Sequence, residues 1–238
     1  MKNQMVFQRR EIKYLITKEQ KAWLLSQMAA YITDDTYGRN TICNLYYDTP
    51  SYLLIRRSLE GTAFKEKLRL RSYGAAKSGS ETFIELKRKC QSLVYKRRMG
   101  LPEAEAMAYL AGKRTGTNTQ ISQEIDYFLG HYQSLHPTVF LSYDREAFYG
   151  IDTPDFRITF DENILWRNQA LSLCDGIYGA PILASNQVLM ELKIPDAIPL
   201  WFSALLAEKR IYKTSFSKYG MAYQAMQTKL YTGGKQYA

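Results

Sequence analysis

The sequence has little of what several common protein chemistries require. Its three cysteines, Cys43, Cys90 and Cys174, lie far apart and form no C-x-x-C pair, which favours a reducing compartment over a disulfide framework. The two histidines, His131 and His136, fall in no H-E-x-x-H motif, and we expect both to be structural or surface residues. Neither G-x-x-x-x-G-K-[ST] nor G-x-G-x-x-G occurs, so nothing supports a P-loop or a dinucleotide site.

Long apolar segments are also missing. The longest run, at 198–207, is interrupted by Pro199 and Ser203 and is too short to span a bilayer. The first eleven residues are polar and basic, without the apolar core of a signal peptide. We therefore expect a cytoplasmic protein, in which any association with a membrane depends on a separate membrane protein.

The composition is that of a folded chain with an excess of positive charge. Its 238 residues are 46% hydrophobic and 23% charged, which excludes a disordered chain or a coiled coil and predicts a single domain over 1–238. Lys and Arg number 32 against 23 Asp and Glu, for a net charge of +9. Such an excess indicates an anionic partner but does not choose among nucleic acid, phosphate compounds and acidic membranes.

The residue patterns predict long strands with scattered helices. A capping box at Thr17 and Gln20 predicts one helix, Pro50 and Pro102 two more, and helical periodicity two others, over 121–132 and 219–230. Alternation with period two predicts strands at 9–16, 41–48, 66–73, 82–89, 93–99, 138–149, 156–163 and 187–194. Strands that do not alternate regularly with helices are typical of an α+β fold.

Several predicted strands place charges on one face. Lys67, Arg69 and Arg71 share a face, and Glu85 shares one with Lys87. For any one strand, an ordinary sheet with one face in water explains the pattern. When the strands are considered together, the repulsion between their cations matters. Like charges about 4 Å apart repel by roughly 4 kcal/mol at an effective dielectric constant near 20, so cations that converge need a counter-ion. If the strands close into a barrel with the charged face inside, the lumen needs a polyanion, and its carboxylates suit a divalent cation that bridges to phosphate.

A set of short motifs in a fixed order resembles a known family. The motifs are Glu-x-Lys near the N-terminus, N-L-Y-Y-D-T-P at 44–50, K-x-R-x-R-S-Y-G at 67–74, I-E-L-K at 84–87, S-Y-D-R at 142–145, R-I-T-F-D at 157–161, M-E-L-K at 190–193 and S-K-Y at 217–219. Together they resemble the polyphosphate polymerase domain of the vacuolar transporter chaperone (VTC) complex. That domain belongs to the triphosphate tunnel metalloenzymes, or CYTH superfamily. The similarity runs from residue 9 to about residue 220.

The resemblance implies a closed, tunnel-like barrel of about eight antiparallel strands with flanking helices. It implies transfer of the ATP γ-phosphate to inorganic polyphosphate inside the tunnel, with Mn²⁺ or Mg²⁺ as cofactor and no specific nucleic acid as partner. The resemblance places phosphate-holding catalytic cations at Lys13, Arg69, Arg71, Lys87, Arg145, Arg157, Lys193 and Lys218. Further substrate contacts are expected at Lys67, Lys96, Arg97 and Ser217, and metal ligands at Glu191, the principal one, and at Glu85 and Glu11.

Some features depart from the family or leave alternatives open. The superfamily opens with Glu-x-Glu-x-Lys, but Arg9 stands at the first glutamate position, which favours the polymerase branch over the triphosphatases. Lys96 and Arg97 fit an exposed basic strand edge equally well. A triphosphatase or tripolyphosphatase of the same fold remains an alternative, as does a non-catalytic binder of polyphosphate or RNA. Tyr46 and Tyr47 are compatible with base stacking, but we expect them to pack on the outside of the barrel.

Overall fold

The structure is a computed structural model that describes residues 10–90, 93–113 and 118–233. Within these residues, eight long strands correspond to the eight segments predicted from alternation, and three short strands are added to them. The strands are β1 (Arg10–Thr17), β2 (Ile32–Asp34), β3 (Asn40–Asp48), β4 (Phe64–Tyr73), β5 (Glu81–Cys90), β6 (Leu93–Pro102), β7 (His136–Gly150), β8 (Arg157–Arg167), β9 (Ala180–Pro181), β10 (Gln187–Ile194) and β11 (Lys213–Thr214).

Six helices connect or flank these strands in the described part of the chain. They are α1 (Lys18–Met28), α2 (Leu53–Glu60), α3 (Glu103–Leu110), α4 (Gln120–His131), α5 (Leu200–Glu208) and α6 (Lys218–Gly233). The predicted capping box is confirmed, since Thr17 caps α1 together with Gln20. Helix α5 was not expected from periodicity. No helix among the described residues combines the length and the apolar character needed to cross a membrane.

Helix α2 starts at a buried carboxylate. Asp48, at the end of β3, accepts hydrogen bonds from the backbone N–H groups of Leu54 and Ile55, at 2.9 and 3.0 Å. These N–H groups belong to the first turn and lack partners within the helix. The hydroxyl of Tyr219, in α6, also donates to Asp48, at 2.9 Å. Asp48 therefore joins the end of a central strand to two helices.

The strands form one antiparallel sheet that is not closed by hydrogen bonds. Its order is β11-β1-β10-β8-β7-β3-β4-β5-β6, with β2 beside β7 and β9 beside β8. No ladder among the described residues joins the two ends of this path, so the prediction of a closed barrel is wrong in this respect. The sheet still curls on itself. Lys67 in β4 donates a hydrogen bond of 3.1 Å to the hydroxyl of Ser217, which directly precedes α6.

The outer face of the curled sheet carries most of the apolar core. Leu68 and Leu70 of β4 are fully buried there and pack in one cluster with Phe128 of α4. A second cluster joins Met190 of β10 to Phe202 of α5. Because successive residues of a strand point to opposite faces, this outer core leaves the alternate, charged residues pointing inward.

The inner face is apolar at one end and charged at the other. Leu141 of β7 and Leu189 of β10 form a third cluster with Tyr219 and Met226 of α6. Helix α6 thus covers the apolar part of the inner face, and its first residue, Lys218, lies where the charged part begins. The charged part encloses a cavity.

Candidate active site

The cavity inside the curled sheet has a volume of about 970 Å³ and is lined by residues from all eight long strands. Most predicted site residues line it. They are Glu11, Lys13, Lys67, Arg69, Arg71, Lys87, Lys96, Arg145, Arg157, Glu191, Lys193, Ser217 and Lys218. Cations thus predominate over carboxylates among the predicted residues that the fold brings together.

Three lysines lie side by side on one wall of this cavity. Lys67 in β4 is directly opposite Lys87 in β5, and Lys87 is directly opposite Lys96 in β6. Like charges at directly opposite positions destabilise a sheet. Lys87 forms no hydrogen bond or ion pair with the residues that the structure describes, whereas Lys67 donates to Ser217 and Lys96 pairs with Glu85. An anion from outside the chain would relieve the repulsion along this row.

The glutamate of β10 lies at the centre of a cluster of cations. The Nζ of Lys218 is 3.1 Å from Oε1 of Glu191, and an Nη of Arg145 is 3.4 Å from Oε2. Lys13, cross-strand from Glu191, has its Nζ at 3.7 Å from Oε1. Burial raises the pKa of Glu191, but Lys218, Lys13 and Arg145 outweigh it and hold this pKa well below its usual range. Glu191 is therefore a carboxylate at neutral pH.

Asp161 forms ion pairs with two of these cations, Arg145 and Lys218. Arg145 donates to its two carboxylate oxygens at 2.6 and 2.7 Å, and Lys218 also pairs with it. Asp161 is fully buried, so this bidentate contact sets the direction in which Arg145 points. Asp161 ends the R-I-T-F-D motif at 157–161, but no role was predicted for it. Its spacing of four residues from Arg157 on the same strand face was the available signal.

Glu85, expected as a metal ligand, is surrounded by cations. Its side chain is 0% exposed, and its oxygens lie 2.6 Å from Arg69, 3.6 Å from Arg71, 2.5 Å from Lys96 and 3.7 Å from Arg98. Burial raises the pKa of Glu85, but Arg69, Arg71 and Lys96 lower it far below its usual range. Glu85 does not line the cavity. Its geometry suits a counter-charge that holds the four cations in place better than it suits a metal ligand.

Burial shifts the titration of the cavity lysines. It lowers the pKa of Lys193 to about 7, and the charges of Lys87 and Arg145 act in the same direction. Burial also lowers the pKa of Lys67 and of Lys96, each to about 8. Lys193 forms no hydrogen bond or ion pair with other described residues. A bound polyanion would stabilise the protonated form of all three lysines.

Arg157 lies inside the cavity, and Arg97 lies outside it. Arg157 lines the cavity, where one Nη donates to Asp35 at 3.1 Å while its buried Nε has no partner among the described residues. Arg97 lies outside, where its Nε donates to Glu124 of α4 at 2.8 Å. The structure thus separates Arg97 from its neighbour Lys96, and the expectation that Arg97 contacts substrate is corrected. Alternation along β6 is the physical reason, since adjacent residues face opposite sides.

The expectation that Tyr46 packs on the outside of the barrel is wrong. It lines the cavity instead of packing outside, and Arg69 donates to its hydroxyl at 3.0 Å. Its neighbour Tyr47 does lie in the outer core, with Met107 at 3.3 Å from its hydroxyl. Burial raises the pKa of Tyr46, but Arg69 and Lys67 outweigh it and lower this pKa to about 8. Tyr46 is a cavity residue that the sequence analysis missed.

The carboxylates suit a divalent cation at one place in the cavity. The Nζ of Lys13 lies 3.3 Å from Glu11 and 3.7 Å from Glu191, so both carboxylates flank this ammonium, which a divalent cation between them would displace. Thr159, cross-strand from Glu191, has a buried hydroxyl without a partner among the described residues. These are the hard oxygen donors that Mg²⁺ and Mn²⁺ take. Within residues 10–90, 93–113 and 118–233, no group of three or more His, Cys, Asp or Glu side chains is placed to hold a metal by itself. Phosphate oxygens would have to complete the coordination. Arg9, the departure from the family pattern, lies outside the described residues.

Solved structures share the fold of this chain. A candidate adenylate cyclase from Bacillus halodurans has a TM-score of 0.55 and 15% identity, over 90% of this chain and 95% of that chain. A candidate adenylyl cyclase from Hippeastrum, described as having a dominant triphosphatase activity, has a TM-score of 0.53 and 14% identity, over 90% and 95%. At these identities the likeness shows the fold alone.

The family follows from the sequence of the whole domain. The VTC domain matches residues 8–227. The chain therefore belongs to the VTC domain family, and the predicted relationship is confirmed. No curated protein matches the chain in sequence.

Proposed function

We propose that this protein is a metal-dependent polyphosphate polymerase, which transfers the γ-phosphate of ATP to a growing chain of inorganic polyphosphate inside the cavity. The observation that carries the proposal is the row formed by Lys67, Lys87 and Lys96, in which Lys87 has no counter-charge within ion-pair distance among the described residues. A polyanion supplies that counter-charge along the whole row. Membership of the VTC domain family supports phosphate chemistry of this kind.

Two walls of cations hold the phosphates in this proposal. Lys67, Arg69, Arg71 and Lys87 belong to β4 and β5, whereas Lys13, Arg145, Lys193 and Lys218 belong to the other side of the curled sheet or to α6. Glu85 and Asp161 orient the arginines, so that little reorganisation is needed when charge develops on the transferred group. Glu191 and Glu11 would hold Mg²⁺ or Mn²⁺, which would neutralise charge on the phosphate oxygens.

The reaction needs no strong base among the protein side chains. A terminal oxygen of the acceptor phosphate forms a bond to the γ-phosphorus of ATP, and the bond from that phosphorus to the β–γ bridging oxygen breaks. Its electron pair leaves with ADP. The attacking oxygen is already ionised at neutral pH, so positioning and charge stabilisation supply most of the catalysis. This agrees with a described cavity lining that contains no histidine.

A triphosphatase or tripolyphosphatase is the second candidate. The same cations would hold the substrate, and water would replace the phosphate acceptor. The structural neighbour from Hippeastrum, with its triphosphatase activity, favours this reading for the fold. One observation counts against the hydrolase. Glu191 and Glu85 both form ion pairs with cations, and carboxylates whose pKa is lowered so far are weak general bases for activating water. A non-catalytic binder of polyphosphate or RNA would gain nothing from Glu191 in the cavity. A cytoplasmic location and a separate membrane partner remain predictions from the sequence.

The products formed from ATP test the proposal. Purified protein with ATP and Mn²⁺ or Mg²⁺ should yield ADP and long phosphate chains on a gel. Orthophosphate without chains would overturn the polymerase in favour of the hydrolase, and no turnover of any triphosphate would leave only binding. Arg69→Ala should abolish turnover, whereas Arg97→Ala, the matched change outside the cavity, should not. Equal losses in the two variants would contradict the placement of the site.

A further inference from the structure

An aromatic platform lies at the rim of the cavity, where β4, β5 and β6 run side by side. Tyr73 and Phe83 are in edge contact, with ring centroids 5.9 Å apart. The guanidinium of Arg98 covers the Phe83 ring at 3.6 Å from its centroid, and an Nη of Arg98 donates to the Tyr73 hydroxyl at 3.1 Å. All three residues line the cavity, and Tyr73 is 53% exposed. We call this group the rim platform.

A glycine keeps space open beside the rim platform. Gly100 in β6 is directly opposite Phe83 and is exposed. A Cβ added at Gly100 would lie 3.3 Å from a carboxylate oxygen of Glu81 and 3.5 Å from the Phe83 ring. Any larger side chain would therefore occupy the volume next to the ring. The missing side chain leaves a recess bordered by the Phe83 ring and a carboxylate oxygen of Glu81.

The recess lies close to the proposed phosphate site. Tyr73 is two residues from Arg71 on the same face of β4, which is about 7 Å along a strand. Phe83 is directly opposite Arg71 in the register of β4 and β5. A ribose separates the base of a nucleotide from its phosphates by a distance of this order. The rim platform is thus where the base falls when the phosphates of a nucleoside triphosphate contact Arg71.

We propose that the rim platform binds the nucleobase of a nucleoside triphosphate whose phosphates enter the cavity. This deepens the proposed function and rests on it, because it names the residues that would hold the base of the nucleotide donor. Aromatic and arginine faces stack on any base, so the platform favours nucleotides over inorganic polyphosphate without strict choice among bases. Covering an edge glycine with an aromatic ring is the purely structural alternative. That role accounts for Phe83 but not for the half-exposed Tyr73 or for the buried Nε of Arg98, which lies 3.7 Å from Glu85 and has no hydrogen-bond partner among the described residues.

Two ligands separate the base site from the phosphate site. A non-hydrolysable ATP analogue and inorganic tripolyphosphate are titrated by calorimetry into wild-type protein, Tyr73→Ala, Tyr73→Phe and Gly100→Leu. Tyr73→Ala and Gly100→Leu should weaken the ATP analogue by about tenfold or more, the scale of one base stacked on an aromatic ring, and leave tripolyphosphate within about twofold. Tyr73→Phe keeps the ring and should keep most of the affinity. Tyr212→Ala, at an exposed tyrosine away from the cavity, is the control and should change neither ligand.

Each outcome decides between distinct possibilities. If tripolyphosphate binds but Tyr73→Ala and Gly100→Leu leave the ATP analogue unaffected, the base site is wrong and the proposed function stands. If both ligands weaken equally in correctly folded variants, the rim holds phosphate instead of a base, and the proposal also fails. If wild-type protein binds neither ligand, the proposed function itself fails and the base site fails with it.

Discussion

Arg69 donates two hydrogen bonds to a single carboxylate oxygen of Glu85, from Nε at 2.9 Å and from Nη2 at 2.6 Å. The other oxygen lies 2.5 Å from Lys96. One buried carboxylate of β5 therefore holds cations from the two strands that flank it, β4 and β6. An uncompensated buried charge is far more costly than an exposed one, so the wall of the cavity should depend on this glutamate for its stability.

Glu85→Gln should destabilise the protein. The amide keeps the shape but leaves Arg69, Arg71 and Lys96 without their counter-charge, and breaking such a buried cluster costs about 3–5 kcal/mol. Chemical denaturation measures the change in the free energy of unfolding. Tripolyphosphate should restore more stability to the variant than to the wild type, because it replaces the missing negative charge.

A matched control lies on the outer face. Glu124→Gln removes the partner of Arg97, a partly exposed pair, and should cost about 1 kcal/mol or less. Equal losses of stability in Glu85→Gln and Glu124→Gln would show that the cavity cluster carries no special stabilisation.

Glu191→Gln should separate turnover from binding. If Glu191 is the principal metal ligand, its loss should reduce metal-dependent turnover by about 100-fold or more, since even residues that only orient a ligand cost about 10–100-fold. Binding of tripolyphosphate without metal should become tighter, because Lys218, Lys13 and Arg145 lose a competing carboxylate. Rate measurements across Mn²⁺ concentrations, together with calorimetry in a chelator, test both effects. An unchanged rate would remove Glu191 from the proposed metal site.

Alternation along the strands predicted which charged residues face the cavity. In β4 the inward cations Lys67 and Arg69 and the outward Leu68 and Leu70 follow from a period of two, which is a fixed property of strand geometry. The same rule separates Lys96 from Arg97, because adjacent residues of a strand face opposite sides, so only one of the two can line the cavity. The face charges of the site were therefore predictable from local sequence alone.

What the sequence could not supply depends on contacts between distant segments. Tyr46 and Tyr47 alternate, but nothing local indicates which of the two faces inward. Whether the sheet closes depends on the pairing of its edges, and β11, with two residues, is too short to show a period. Helix α5 follows Pro199 in a stretch so apolar that no face stands out. The rim platform likewise depends on the register that sets Phe83 opposite Gly100.

Polyanion binding should take up protons above neutral pH. Lys193 has a pKa of about 7 in the free protein, and burial is the main cause. A bound polyanion favours the charged form and raises this pKa, so at about pH 8 binding should draw about one proton onto Lys193 and fractions onto Lys67 and Lys96. The affinity should accordingly fall as the pH rises from about 7 to about 9.

Calorimetry in two buffers of different ionisation enthalpy measures this proton uptake. Lys193→Arg should lower the uptake by about one proton, since arginine stays charged throughout this range. Protons taken up by tripolyphosphate itself are the same for both proteins and cancel in the comparison. Identical uptake by the wild type and Lys193→Arg would mean that Lys193 is already charged before the polyanion arrives.

Tyr46 should titrate before Tyr47 and Tyr219. Arg69 and Lys67 outweigh the effect of burial and lower its pKa to about 8, whereas burial raises the pKa of Tyr47 and of Tyr219. The near-ultraviolet absorbance of tyrosinate should therefore rise in an early phase with a midpoint at about pH 8, and Tyr46→Phe should remove only that phase. Since the folded state favours the ionised phenol, the stability lost in Tyr46→Phe should grow between about pH 8 and pH 10. Tripolyphosphate compensates the same cations and should move the early phase to higher pH. An early phase that tripolyphosphate leaves in place would mean that the polyanion does not bind beside Arg69.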